Sequence, residues 1–151
     1  MINSVRLKVL LTCIFGFMIT ICSAQKQLLS YQDLQYMMQN KTEQVANLLK
    51  QKDYYPQPTT GNGIRFFTLY ADTDYTDVSI TSKGRHTNIH LSTTDLPQIE
   101  MIKIALSSYP TKNSKNATIY RIKDGTISTA ALLENEQKGN MNKLYTLDLE
   151  N

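Results

Sequence analysis

Cysteine is nearly absent from this chain of 151 residues, and its two cysteines, Cys13 and Cys22, both fall within the first 24 positions. The remainder therefore has no thiol with which to build a disulfide, a thiolate metal site or a cysteine nucleophile. Tryptophan is missing, and the six glycines form neither a phosphate-cradling loop nor a GxSxG elbow. An excess of one charge is lacking too. Of 16 basic and 13 acidic residues, only Arg6 and Lys8 lie in the first 24, so 14 basic residues face 13 acidic ones beyond them. That balance, without any Lys/Arg cluster, argues against nucleic acid as a partner, because phosphate binding needs a strongly basic face.

Long hydrophobic runs are also scarce, and the one present is informative. Val9 to Ile21 is apolar, preceded by Arg6 and Lys8 and followed by Cys22-Ser23-Ala24. Basic, apolar and small residues in that order are what a secretory signal peptide requires. A membrane-spanning helix needs about 20 apolar residues, more than this run supplies. Lipidation needs a small residue immediately before the modified cysteine, and Ile21 stands there. Residues 1–24 are expected to be a signal peptide cleaved between Ala24 and Gln25, with no stable membrane insertion afterwards. The expected location is periplasmic or extracellular. Removing 24 residues from 151 leaves 127, enough for a single domain over 25–151 with an adequate core.

The organisation reads as α+β. Ser30 with Asp33 forms a capping-box pattern ahead of Leu34, Met37 and Met38; Asn40 with Glu43 repeats it ahead of Val45, Leu48, Leu49 and Lys52. Two short helices with a hinge near residues 39–41 are expected, then a loop over 53–63. Strands follow over 64–71, 77–82 and 85–92, with a turn over 72–76 and a hairpin at Lys83-Gly84. A third helix starts near Asp95, with Pro97 in its first turn and Gln98 completing the cap. Its residues Ile99, Ile102 and Leu106 should face the core. A polar loop over 111–116 precedes strands at 117–123 and 126–133, joined by Asp124-Gly125 as a type I′ turn, and a last strand at 143–149. Tyr55-Pro56 and Tyr109-Pro110 each lead into a meander, which suggests pseudo-repeats over about 30–92 and 95–149. The fold class expected is an antiparallel sheet with helices on one face. Leu48, Ile80, Ile89, Ile102 and Leu147 are the expected core.

Candidate chemistry is sparse. His86 and His90 are the only histidines; four apart on a strand they stand about 13 Å from one another, too far to share an ion. Asp72, Asp74 and Asp77 lack the glycine and the closing glutamate of a calcium loop. No catalytic, cofactor-binding or metal-ligating residue stands out from the sequence, and no cofactor is expected.

Leu34 through Leu49, with Thr42-Glu43-Gln44-Val45 opening the second helix, resembles the helix–hinge–helix of small bacterial envelope modules. These are the β-lactamase-inhibitor-like domains and the related small lipoprotein of the outer-membrane assembly machine. In that group a meander follows the helix pair, and the inhibitors carry the unit twice. The chain departs from the pattern at Asn40, where a hinge glycine is usual, and has no lipidation cysteine or inhibitor disulfide. The resemblance implies a binding role.

Strand parity then locates a candidate surface. If Thr87, Ile89 and Leu91 face the core, then His86, Asn88 and His90 face outward. Arg65, Phe67, Ser79 and Thr81 share that outer face by the same parity, and Arg121 and Lys123 extend it if the two meanders join. A face mixing Phe, His, Asn and Arg suits contact with another protein. The function expected is an exported, non-enzymatic protein-binding module, such as an inhibitor or immunity protein acting on an envelope enzyme or toxin. An envelope assembly or scaffold component is the alternative reading, and a small hydrolase the third.

Overall fold

Ser30 begins the first helix with a reciprocal cap: its Oγ accepts from the Asp33 N–H at 3.1 Å, and the Asp33 carboxylate accepts from the Ser30 N–H at 2.8 Å. Two otherwise orphaned donors are thereby satisfied, as the sequence pattern implied. The computed structural model describes residues 28–59, 63–70, 74–84, 86–135 and 143–151. The expected signal segment and its cleavage point lie outside the described residues.

Helix α1 is Tyr31–Gln39 and α2 is Thr42–Gln51. The second cap differs from expectation by one residue. Asn40 closes α1, donating its side-chain amide to Tyr36 O at 2.8 Å, and Lys41 is the N-cap of α2, with its N–H held by Gln44 Oε1 at 3.2 Å. Asn40 cannot cap both helices, and the C-terminal carbonyl takes it. Leu34, Met37, Met38, Val45 and Leu49 are buried as expected, whereas Leu48 is only partly buried and packs on the edge of the core. Leu49 points inward instead, one position on.

The strands are β1 Tyr55–Gln57, β2 Gly63–Tyr70, β3 Asp74–Lys83, β4 His86–Thr93, β5 Thr111–Asn113, β6 Ala117–Arg121, β7 Thr129–Asn135 and β8 Leu144–Glu150. Helix α3, Leu96–Leu106, lies between β4 and β5. Among the described residues these make three helices and one eight-stranded antiparallel sheet, an α+β fold, with strand order β1-β2-β3-β4-β8-β7-β6-β5. Each half of the chain winds from an outer edge to the middle, and the two meet where β4 pairs with β8.

Two strands were not expected. β1 and β5 fall in segments that read as loops, because each is three residues long and sits beside Tyr55-Pro56 or Tyr109-Pro110. Proline is tolerated at a sheet edge, where one side of the strand makes no ladder, so composition alone masks such strands. Short edges containing proline also hinder pairing with another chain. β3 already begins at Asp74, inside the stretch 72–76 expected as a turn.

The Asp124-Gly125 hairpin is corrected. The last β6–β7 pair is Arg121 with Thr129, so residues 122–128 form a wide loop rather than a two-residue turn. Ile122 and Ile127 inside it are each 1% exposed. The loop folds around the Asp124 carboxylate, whose Oδ1 accepts from the N–H groups of Thr126 and Ile127, each at 2.8 Å. Gly125 takes φ +85°, which suits a residue without a Cβ.

Along the strands the buried residues fall on one parity. Phe66 pairs with Val78, Val78 with Leu91, Leu91 with Leu147 and Leu147 with Leu132, all of them buried. These side chains form one core with Leu34, Met37, Leu49, Ile99, Ile102 and Leu106 of the helices. Ile80, Ile89, Ile102 and Leu147 are buried as expected. Gln98 departs from its expected capping role. Its fully buried amide donates to Leu29 O and accepts from Leu29 N–H, both at 2.8 Å, fastening the lead-in of α1 to α3.

Candidate functional site

Opposite parity defines the second face of the sheet. Directly paired residues share a face, and the register gives one row as Arg65, Ser79, His90, Asp148, Ala131 and Ile119. A neighbouring row runs Tyr55, Phe67, Asp77, Ser92, Thr146 and Leu133. The meanders join through β4 and β8, so the outer face is continuous across the whole sheet.

The aromatic end lies over β1–β3. The rings of Phe67 and Tyr75 stack with centroids 5.7 Å apart and 29° between planes. Beside them Tyr55 is 65% exposed and Leu69 60% exposed, the latter paired with Tyr75. Arg65 grips Asp77 with Nε at 3.0 Å from both carboxylate oxygens and Nη2 at 2.6 Å from one. This fork holds an otherwise mobile cation flat against the strands.

The centre of the face is polar. His90 Nδ1 is 2.6 Å from Asp148 Oδ1, and His90 Nε2 is 3.1 Å from Ser92 Oγ. With the proton of a neutral imidazole on Nδ1, the ring donates to Asp148 and Nε2 accepts from the Ser92 hydroxyl. Arg65, Phe67, Tyr75, Asp77, Ser79, His90, Ser92 and Leu144 line one open concavity of about 620 Å³.

The nine residues singled out by parity are not all brought together. Arg65, Phe67, Ser79 and His90 surround this concavity. Thr81, Asn88 and Arg121 lie one row away on the same face, joined by the pairings Thr81–Asn88, Asn88–Glu150, Glu150–Thr129 and Thr129–Arg121. His86 and Lys123 do not border this concavity. They line a second hollow of about 790 Å³ at the end of the sheet, between Met38 and Gln39 of α1 and the 122–128 loop. Lys123 leaves the face because β6 stops at Arg121. Asp77 is held by Arg65. Among the described residues no group of His, Asp, Glu or Cys is arranged to hold a metal, and no helix is long and apolar enough to cross a membrane.

Sequence reasoning missed Ser92, Asp148, Tyr55 and Tyr75. Ser92 was within reach, since it stands two residues from His90 on one strand and so shares its face. Asp148 was not, because only the β4–β8 register sets it opposite His90, 58 residues away.

With the geometry in view, the comparison with known proteins is brief: no family model, curated protein or solved structure gives a significant match to this chain.

Proposed function

We propose that the protein is an exported protein-binding module that holds a partner protein against the outer face of its sheet. The observation that carries this reading is the group Tyr55, Phe67, Leu69 and Tyr75, four large apolar side chains on one face beside the Arg65–Asp77 fork. Tyr55 and Leu69 are mostly exposed, and Phe67 and Tyr75 are half-buried against each other, all four outside the core. Aromatic anchors ringed by polar and Arg side chains are the composition of contact centres. The partner fitting this surface presents an apolar side chain to Phe67 and Tyr75 and a hydrogen-bonding rim to Arg65 and His90. Inhibition or neutralisation of an envelope-acting enzyme or toxin is the form this takes. Stable co-purification with a membrane complex would point instead to an assembly component.

The test is capture from an envelope fraction, identification of the bound protein by mass spectrometry, and titration of that purified partner. Phe67→Ala and Tyr55→Ala should each weaken the affinity by about 1–3 kcal/mol. Ile104→Ser, at a 72% exposed position on α3, should leave it unchanged. Equal affinity for the Phe67 and Tyr55 variants and the wild type overturns the assignment of the face.

A further inference from the structure

The Ser92–His90–Asp148 chain on the outer face has the order nucleophile, base, orienter, and we infer that it cleaves small carboxylic esters with an apolar or aryl acyl group. The distances are those the chemistry needs: 3.1 Å from Ser92 Oγ to His90 Nε2 and 2.6 Å from His90 Nδ1 to Asp148 Oδ1. Backbone ladders hold all three. Ser92 and His90 are alternate residues of β4, and Asp148 of β8 is the direct cross-strand partner of His90. Groups fixed on strands keep their relative geometry better than groups on loops.

The surroundings define the substrate. Phe67, Tyr75 and Leu144 supply apolar contact in the concavity that Ser92 and His90 line, and the site is open to solvent. Asp77 stands directly across from Ser92, but Arg65 neutralises it, so an oxyanion forming at Ser92 does not meet a bare carboxylate. Ser92 sits within β4 between β3 and β8, where backbone N–H groups serve the ladders. The donors lining the same concavity are the Ser79 hydroxyl and the Arg65 guanidinium, the latter already shared with Asp77. Side-chain donors in an open site stabilise an oxyanion less than a preorganised backbone pair would, which restricts turnover to esters with good leaving groups and excludes peptides.

The steps balance without a cofactor. His90 Nε2 takes the Ser92 proton as Oγ bonds to the acyl carbon. The tetrahedral intermediate collapses, the bond to the alkoxy oxygen breaks, and the alcohol departs with the proton from His90. Water, deprotonated by His90, then attacks the acyl-Ser92 ester and releases the carboxylic acid with Oγ–H restored. Ser92 and His90 are the catalytic residues; Asp148 is a positioning residue that fixes the imidazole tautomer.

The experiment uses the purified protein with p-nitrophenyl acetate and butyrate and needs no partner, so its outcome is independent of the docking reading. The wild type should release p-nitrophenolate above the buffer rate with saturation, and more efficiently from the butyrate. Ser92→Ala and His90→Ala, checked for fold by circular dichroism, should both fall to the buffer rate. Asp148→Asn should lower kcat by about tenfold or more at nearly unchanged KM. A fluorophosphonate probe should add one mass increment, on the peptide holding Ser92. No turnover by the folded wild type, or turnover that persists in Ser92→Ala, overturns the inference.

Discussion

The Tyr31 hydroxyl donates to Asp124 Oδ2 at 2.6 Å, joining the first helix to the loop of the second meander across 93 positions of sequence. Gln35 donates to the same oxygen at 2.8 Å, and Gln39 reaches Thr126. Tyr31, Gln35 and Gln39 are one helical turn apart each, so a polar stripe of α1 is bolted along the loop. Tyr31 also lies against Tyr109, with ring centroids 6.3 Å apart. Burial, then the bond to Asp124, raises the Tyr31 pKa well above that of a free tyrosine. Burial alone would raise Asp124, but bonds from Tyr31, the Ile127 and Thr126 N–H groups and Gln35 outweigh it and bring the carboxylate down to about 2.

That clasp should behave as a coupled unit. Tyr31→Phe and Asp124→Asn are each expected to cost about 2 kcal/mol, the range for hydrogen bonds to a charged group. The double variant should cost clearly less than their sum. Urea unfolding of the four proteins in a double-mutant cycle measures the coupling, expected at about 1 kcal/mol.

Acid should weaken the fold through the same carboxylate. Its folded pKa is about 2 against an ordinary 3.8, so its contribution is complete above pH 3.8 and is lost as pH falls toward 2. The full shift corresponds to about 2 kcal/mol, and solvent around this partly exposed group reduces it to about 1 kcal/mol. Denaturant midpoints between pH 5 and pH 2 should fall less steeply in Asp124→Asn than in the wild type.

Adjacent leucines in α2 should separate cleanly. Leu49 is fully buried and Leu48 only partly so. Leu49→Ala is expected to cost about 3 kcal/mol, and Leu48→Ala about 1 kcal/mol. Thermal melts of the pair decide it, and equal losses would contradict the observed rotation of the helix.

Asp95 predicts a gain. It stands at the N-cap position of α3, 7% exposed, and burial followed by the nearby Asp74 raises its pKa above 3.8. A raised carboxylate costs its full penalty above the folded pKa, and the cost is gone once pH falls to the unfolded value. Asn caps helices as well as Asp does but carries no charge. Asp95→Asn should therefore stabilise the protein at pH 7 by about 0.5–1 kcal/mol, with the difference closing in acid. Calorimetric Tm values at both pH values test the sign.

Much of the sheet was legible because strand parity is a local property. The alternation of Thr87, Ile89 and Leu91 with His86, Asn88 and His90 assigned the two faces of β4, and the burial of Ile89 and Leu91 agrees. Capping followed the same logic at Ser30. It failed at Asn40 and Gln98, where a side chain that can serve a local cap bonds elsewhere. For Asp124 the turn signal was real, but the carboxylate had a distant partner in Tyr31 that no window of sequence contains.

The sequence by itself determined the fold class, the inward faces of the helices and central strands, and the absence of any thiol chemistry beyond residue 24. These follow from periodicity and composition, which act over a few residues. Only the tertiary structure decided that β1 and β5 are strands, that Lys123 leaves the outer face, and that Asp148 stands opposite His90. Each of those depends on which strand lies beside which, and at what register. Such pairings are fixed by the burial of a common core among distant segments, so the local sequence does not encode them one residue at a time.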